Sequence, residues 1–320
     1  MKHLIKRALT ALFLAAAVLL TGCSGRVLGR LRMGVAGEGG VYHELGTLYA
    51  ALENETSNGQ VEVRTTAGSA ASLRLLMGDY LQLAIVQADL ARDAADHVGI
   101  FAEETGEAGF SAIGALYTEA CQVVVRADSD IQSVEDLQGR VVSIGEVESG
   151  SEQNAREILA AYGLNEKLVD CLNLNYADAA AQLAAGNIDA IFVTIGAPFE
   201  AMEELAQECE VRLLPIEGTA AQRLLKTSDT YEKITIPAGT YYGLNEDVET
   251  VGVKALLLAE NSVPEKQVQR LTELLFTGGD GLSEQLGIRL NTAEEAVQGV
   301  GIPLHKGAAA YYKAAGITVE

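Results

Sequence analysis

The chain has 320 residues, with 44 acidic and 23 basic side chains, which gives a formal net charge of −21. This excess of negative charge excludes the basic surface by which proteins bind nucleic acid, and it opposes adhesion to anionic lipid headgroups. The length exceeds what one hydrophobic core usually supports, so we expect two structural units.

The first 22 residues have the composition of a secretory signal. Three cations in MKHLIKR precede ten apolar residues at 11–20, which are too few to span a membrane. Leu-Thr-Gly-Cys at 20–23 resembles a bacterial lipobox, so we expect Cys23 to be acylated and residues 23–30 to form a tether. An ordinary signal peptide with a chance cysteine is the alternative. Cleavage leaves a net charge of −24 on a secreted chain, which the lipid would hold in the periplasm or on the outer face of the cell membrane.

From Leu31 onward, apolar residues alternate between the spacing of strands and the spacing of helices. In the first part of the chain, strands are predicted at 31–36, 61–66 and 81–87, and helices at 41–55 and 71–78. Two separate strands are predicted next, at 113–117 and 121–127. Ser133 and Asp136 then have the spacing of a capping box, which marks the start of a helical turn.

After this point the pattern restarts. Strands are predicted at 140–145, 169–174, 189–196, 211–216 and 248–259, and helices at 151–163, 177–186, 197–208 and, opened by Pro264, at 264–276. This order predicts two α/β units with mostly parallel sheets flanked by helices. We place the boundary near residues 121–130 and expect the last strand to rejoin the first unit. Residues 31–123 with 249–320 would then form lobe I, and residues 124–248 lobe II.

Three further cysteines, Cys121, Cys171 and Cys209, have neither CxxC spacing nor histidines nearby in the sequence. A zinc site is therefore not predicted. We interpret them as small buried hydrophobic residues, and a disulfide between Cys171 and Cys209 stays an alternative.

Four connections from a strand to a helix are rich in glycine and hydroxyl residues, at 36–42, 65–72, 145–154 and 194–198. They follow the carboxyl ends of parallel strands, where open α/β sheets bind ligands. The first N–H groups of a helix lack internal partners and lie at the positive end of its dipole, so they can hold a carboxylate or phosphate. Plain N-capping by Ser149 or Ser151 is the alternative for one loop. Four such loops, two from each unit, favour a shared ligand site.

Motifs for catalysis or cofactor binding are missing from the sequence. No window matches the P-loop, GxGxxG or GxSxG patterns, and HELG at 43–46 lacks the second histidine of a HExxH zinc site. We therefore predict neither an enzyme nor a cofactor.

Seven segments, in order, resemble the TAXI family of solute receptors that serve tripartite ATP-independent periplasmic (TRAP) transporters. They are GGVYHELG (39–46), GSAASLRLLMGDYLQLAIVQAD (68–89), LYTEACQVVVRADSDIQSVEDLQGRVVSIG (116–145), SGSEQNAREIL (149–159), GNIDAIFVTIGAP (186–198), IPAGTYYG (236–243) and PLHKGAAAYY (303–312). The resemblance implies a two-lobed, periplasmic-binding-protein-like fold of type II with a hinge and a central cleft. It also implies a small organic ligand, often a dicarboxylate or acidic amino acid, and a permease driven by an ion gradient.

By their positions in the loops, twelve residues are expected to contact the ligand: Gly39, Gly40, Tyr42, Ser69, Gln87, Tyr117, Ser149, Gly150, Ser151, Thr194, Gly196 and Ala197. Residues 149–151 would hold a carboxylate, and Thr194, Gly196 and Ala197 would close the cleft. Gln122 is expected near the crossing between the lobes. The alternative is that the tyrosines belong to the core and the glycines to simple turns.

The third loop departs from the family pattern, which reads more like Gly-Ser-Gly-Thr. Glu146, Glu148 and Glu152 crowd one helix start, Glu38 lies in the first loop, and none of the four loops contains Arg or Lys. Two like charges about 4 Å apart repel by about 4 kcal/mol at an effective dielectric of 20, so a bare dianion would be rejected if these carboxylates faced inward. Our hypothesis is a ligand with a cationic group as well as a carboxylate. The alternative is that the glutamates face solvent.

We therefore predict an extracytoplasmic receptor that binds a small carboxylate or glutamate-like amino acid by lobe closure and delivers it to a TRAP permease. Hinges are expected near residues 121–126 and 237–245. Contact with the membrane is expected only through the lipid anchor. The alternatives are the binding lipoprotein of an ABC importer, a sensor input domain, an enzyme of the same fold, or a structural lipoprotein, which would leave the four loops unexplained.

Overall fold

The computed structural model describes residues 30–56 and 61–319. The predicted signal sequence and Cys23 lie outside the described residues. Among the helices of these two ranges, none is both long and apolar enough to cross a membrane.

The described residues form a mixed sheet. Its strands are β1 (Leu31–Gly34), β2 (Val61–Arg64), β3 (Leu83–Gln87), β4 (Phe110–Arg126), β5 (Val141–Ser143), β6 (Asp170–Leu172), β7 (Ala190–Ile195), β8 (Val211–Leu214), β9 (Tyr231–Ile236) and β10 (Val248–Glu260). Their order is β2-β1-β3-β10-β4-β7-β5-β6, with β8 also paired to β4 and β9 to β10. We call β1–β3 the first half of the sheet and β5–β7 the second half.

Helices cover the sheet. They are α1 (Val41–Thr56), α2 (Ser69–Met77), α3 (Ala88–Asp96), α4 (Gly150–Ala161), α5 (Tyr176–Ala184), α6 (Glu200–Glu208), α7 (Gly218–Thr227), α8 (Glu265–Thr277), α9 (Gly279–Leu286) and α10 (Lys306–Ala314). A 3₁₀ turn at Val134–Leu137 begins at the predicted capping box, in which Asp136 accepts a hydrogen bond from the Ser133 amide at 3.0 Å.

The directions of the strands aim the two halves of the sheet at each other. Strands β1–β3 are mutually parallel, and so are β5–β7. Between them, β10 is antiparallel to both β3 and β4, and β4 is antiparallel to β7. Gln87, the last residue of β3, pairs with Ala255 of β10, which in turn pairs with Tyr117 of β4. Ile195, the last residue of β7, pairs with Ala120 of β4. The carboxyl ends of both halves meet at the middle of β4.

The prediction of two separate strands at 113–117 and 121–127 is wrong, because one 17-residue strand spans both. Thr118, Glu119 and Ala120 look like a polar break in the sequence, yet each is paired with β10. Strands β4 and β10 thus join what we expected to be two sheets into one. Residues 237–245, where one hinge was expected, lie in the connection from β9 to β10. The strands that pass between the halves are β4 and β10.

One strand and four α-helices escaped the sequence analysis, namely β9, α3, α7, α9 and α10, and so did a 3₁₀ turn at Gly99–Phe101. The four helices have ten residues or fewer, and α3 follows β3 without an intervening loop, so no turn signal announces it. Short helices are stabilised by packing against the sheet more than by the intrinsic helix propensity of their residues.

The core continues through both halves of the sheet. Residues of β4 and β10 contribute to all three buried clusters, because successive side chains of a strand point to opposite faces. Cys121 belongs to this core, as we expected. Cys171 and Cys209 are half-buried free thiols, so the alternative disulfide between them is not formed.

Replacing Gly307 by Ala should destabilise the fold. Gly307 lies in the first turn of α10, and an added Cβ would stand 2.2 Å from the carbonyl oxygen of Glu265 and 2.8 Å from the amide nitrogen of Gln269. Overpacking against backbone costs about 1–3 kcal/mol. Chemical denaturation should show this loss. Gly281→Ala is the control, because that exposed helical position has open space and gains helix propensity. Equal stability of the two variants would contradict the close packing of α10 on α8.

Candidate functional site

A cavity lies where the carboxyl ends of the two halves meet. It has a volume of about 510 Å³, including the part open to solvent, and residues of all four predicted loops line it. Eight of the twelve expected ligand contacts are among its walls: Gly40, Tyr42, Ser69, Gln87, Ser149, Gly150, Ser151 and Thr194. The structure thus brings the four loops together around one space.

The loops of the two halves are in direct contact beside this cavity. The amides of Ala70 and Ala71, at the start of α2, donate to the carbonyl oxygen of Glu148 at 3.1 and 3.3 Å. A Cβ on Gly68 would lie 2.7 Å from the Cα of Ser149, so the two backbones nearly touch. The Arg74 guanidinium is 3.0 Å from the Glu148 carboxylate. These contacts close the cavity on the side where the loops meet.

The start of α4 forms one wall of the cavity. Ser149 is the N-cap, and its hydroxyl accepts from the Glu152 amide at 3.1 Å. The Ser151 hydroxyl accepts from the Thr194 amide at 2.9 Å. The N-capping interpretation is thus correct for Ser149. The other first-turn amides of α4 have no intrahelical acceptor, and Gly150 and Ser151, which carry two of them, line the cavity.

Glu119 lies at the centre of the site, and the sequence analysis did not identify it. Its side chain is 2% exposed and lines the cavity. One carboxylate oxygen accepts from the Tyr42 hydroxyl at 2.8 Å and from the Gln87 side-chain amide at 3.1 Å, and the other accepts from the Tyr117 hydroxyl at 3.3 Å. Burial raises its pKa to about 8, although these hydrogen bonds act in the opposite direction.

Tyr176 and Asn175, at the start of α5, complete the second half's wall. The Tyr176 ring lies 3.3 Å from the position of a Cβ on Gly40, so an added methyl group at residue 40 would make a tight contact with it. Burial raises the pKa of Tyr176, and the nearby charges of Glu119 and Glu146 add to that rise. The sequence analysis missed this loop because it contains no glycine.

Four expected contacts do not line the cavity. Gly39 is exposed, in a turn with φ of 78°. Tyr117 is buried behind Glu119, where its ring packs 3.2 Å from the Cβ position of Gly196. Gly196 is thus part of the packing that supports Tyr117, and Ala197 follows it, half-buried. Gln122 is buried in β4 and is likewise absent from the cavity walls.

The four glutamates of the loops have different environments. Glu38 is exposed, Glu148 pairs with Arg74, and Glu152 pairs with Arg156 at 2.8 Å. Glu146 alone of the four lines the cavity, with burial raising its pKa. Together with Glu119 it gives the cavity two carboxylates. The described residues that line the cavity include no Lys, Arg or His.

A second polar cluster joins the halves next to the cavity. The Asn154 side-chain amide donates to Asp89 at 2.6 Å and to the Tyr231 hydroxyl at 2.7 Å, and Tyr231 donates to Glu157 at 2.7 Å. Burial raises the pKa of Asp89 to about 6 and that of Glu157 to about 7. These bonds connect α3, α4 and β9.

Comparison with known proteins identifies the fold. The sequence model of the NMT1-like family matches residues 33–316. Similar solved structures include the periplasmic binding protein BugD, with a TM-score of 0.57, 14% identity, and coverage of 91% of this chain and 98% of that one. The binding component of an ABC phosphonate transporter from Pseudomonas aeruginosa has a TM-score of 0.52, 12% identity and coverages of 80% and 77%. A TctC solute-binding protein from Polaromonas has a TM-score of 0.50, 15% identity, and coverage of 90% of this chain and 97% of that one. The predicted periplasmic-binding-protein-like α/β fold is thereby confirmed.

Stability should fall with rising pH because of Glu119. Its pKa of about 8 in the folded chain exceeds the ordinary 4.5, so between these pH values the folded state keeps a proton that the unfolded state has released. Relative to Glu119→Gln, the free energy of unfolding of the wild type should therefore fall by up to about 1.4 kcal/mol per pH unit. Urea denaturation at pH 5, 6, 7 and 8 measures this difference.

Glu295→Gln provides the control for this pH series. The pKa of Glu295 is lowered by its hydrogen bond from Arg289, so the group is ionised in both states throughout this pH range. Its stability should run parallel to that of the wild type. If Glu119→Gln runs parallel as well, the carboxyl of Glu119 does not hold its proton in the folded chain.

Proposed function

The chain belongs to the NMT1-like family, and we propose that it is an extracytoplasmic solute receptor for a small carboxylate or a glutamate-like amino acid. The observation that carries this proposal is the cavity lined from both halves of the sheet. The similar structures named above are, by their names, binding proteins. No residue of this chain is assigned a catalytic role.

The two lobes of the receptor are residues 31–123 with 249–320, and residues 124–248. One buried cluster consists of residues between Cys121 and Val253, and another of residues 70–115 with Leu256, Leu258 and Val300. Each of these two clusters lies on one side of the middle of β4, which supports movement of the lobes as separate bodies, while a third cluster contains residues of both lobes. The hinge then lies within β4 and β10, which pass from one lobe to the other.

Ligand binding favours closure because the ligand contacts both lobes. A solute that touches Tyr42 of lobe I and Ser151 of lobe II has differential affinity for the closed state, and only such a difference can shift the equilibrium. The backbone bonds between residues 70–71 and Glu148 form only when the lobes meet. A membrane partner can then recognise the closed shape.

The finer proposal is a TAXI-type receptor that delivers its solute to a TRAP permease. It rests on the seven segments that resemble that family. We propose further that a lipid anchor at Cys23 keeps the receptor beside the membrane. The binding lipoprotein of an ABC importer and a sensor input domain are the alternatives. Uptake into vesicles that contain a candidate permease together with this receptor tests the proposal: a TRAP system responds to an ion gradient, whereas an ABC importer requires ATP.

The purified chain should bind one molecule of a small solute. Calorimetric titration with the twenty amino acids, succinate and 2-oxoglutarate should identify a solute that binds at a ratio of one to one. At a concentration of 100 Kd this solute should stabilise the fold by about 2.7 kcal/mol. Binding of no solute from this panel, with no small molecule retained in native mass spectrometry, would contradict the receptor function.

Gly150→Ala should weaken this binding. An added Cβ would lie 1.8 Å from the side-chain oxygen of Gln87, so either Gln87 leaves Glu119 or the lobes stay apart. Overpacking of about 1–3 kcal/mol corresponds to an affinity loss of about 5- to 150-fold. Gly281→Ala is the matched control, because it adds the same methyl group to a helix position with open space. Equal affinity of both variants would show that residue 150 does not approach Gln87 in the bound state.

A further inference from the structure

Glu119 is a buried carboxylate without a cationic partner among the described residues. Its three hydrogen-bond donors, Tyr42, Gln87 and Tyr117, are all neutral, and none of the ion pairs of the described residues includes it. Buried carboxylates are normally paired with a cation, because their removal from water is otherwise costly. Glu119 also lines the cavity, so a ligand can reach it.

The neighbouring Gln87 adds an independent observation. Its side chain is 2% exposed, it lines the same cavity, and its amide oxygen has no hydrogen-bond partner among the described residues. The amide nitrogen of the same side chain donates to Glu119, which fixes the oxygen on the other side. Two buried side chains that can accept hydrogen bonds, Glu119 and Gln87, therefore line the same cavity. The Gln87 oxygen requires a donor, and Glu119 requires positive charge when it is ionised.

The rest of the cavity is consistent with a cationic group at this place. Glu146 contributes a second carboxylate, and no Lys, Arg or His is present among the described lining residues. The rings of Tyr42 and Tyr176 also line the cavity, and aromatic faces attract ammonium groups.

We infer that Glu119 is the residue that recognises a primary ammonium group, and that this receptor selects amine-bearing solutes over their oxo-acid and dicarboxylate analogues. The ammonium group donates to Glu119 and to the Gln87 oxygen. The carboxylate of the same solute lies at the start of α4, where the first-turn amides serve as donors. This inference rests on the proposed receptor function and names its substrate class and the residue that determines it.

Matched pairs of solutes test the inference. Glutamate and 2-oxoglutarate, alanine and pyruvate, and leucine and 4-methyl-2-oxopentanoate differ only in an amine or an oxo group at one carbon. Calorimetric titration of the purified chain should show that the preferred amino acid binds about 30-fold or more tightly than its oxo acid, because loss of one partner of a buried charge pair costs at least that much. Glu119→Gln should remove most of this preference.

A proton count separates recognition of an ammonium group from the opposite arrangement, in which protonated Glu119 donates to a ligand carboxylate. The groups around Glu119 are the neutral Tyr42, Tyr117, Tyr176 and Gln87, together with the carboxylates of Asp89 and Glu146. Because its pKa is about 8, binding of an ammonium group at pH 7 should release about one proton, measured by titration in buffers of different ionisation enthalpy. Glu119→Gln should release none.

Glu38→Gln is the matched control, because Glu38 is an exposed carboxylate in the first loop, outside the cavity. It should bind the amino acid as the wild type does. Gln87→Met provides a second variant should Glu119→Gln fold poorly, and it should weaken the amino acid more than the oxo acid.

Two results would overturn the inference. Equal or tighter binding of the oxo acids or succinate by the wild type, without proton release, would refute the role of Glu119 but leave the receptor function intact. Binding of neither series would refute both.

Discussion

The site depends on one constraint, the passage of β4 through both halves of the sheet. Because β4 is antiparallel to β7 and runs in the same direction as β3, the two parallel sets of strands point their carboxyl ends at each other. Each set then contributes its helix N-termini to the same space. A sheet in which both sets ran the same way would have put these loops along one edge, without a cavity between them.

The same passage explains why a carboxylate lies at the centre of the cavity. Glu119 is held by backbone pairing in the middle of β4, so its position does not depend on a flexible loop. Hydroxyl and amide donors from α1, β3 and β4 itself surround it. Neutral donors stabilise a buried carboxylate only in part, and its raised pKa reflects that remaining cost. A ligand that brings positive charge would recover this free energy on binding, because it would pair with the Glu119 carboxylate.

Polar contacts join the loops of the two halves. Backbone bonds from Ala70 and Ala71 to Glu148, and the side-chain bonds of Asn154, lie around the cavity. In the proposed opening of the cleft, such contacts can be exchanged for water at small net cost. One apolar cluster contains residues of both halves, such as Leu83 and Ile191, so apolar packing also joins the halves.

The sequence by itself determined the α/β class, the order of most strands and helices, and four polar loops at strand ends. These features follow from local periodicity, capping and turn residues, which nearby positions encode. Eight of the twelve expected residues line the cavity because loop position alone predicts which end of a parallel sheet they occupy. Tertiary structure decided the rest. Glu119 reads as a break between two strands until its pairing with Val253 is known, and the separation of Gly39 and Ala197 from the cavity depends on how the loops turn. Pairing across more than a hundred residues and the direction of a side chain are set by packing, and no local pattern records them.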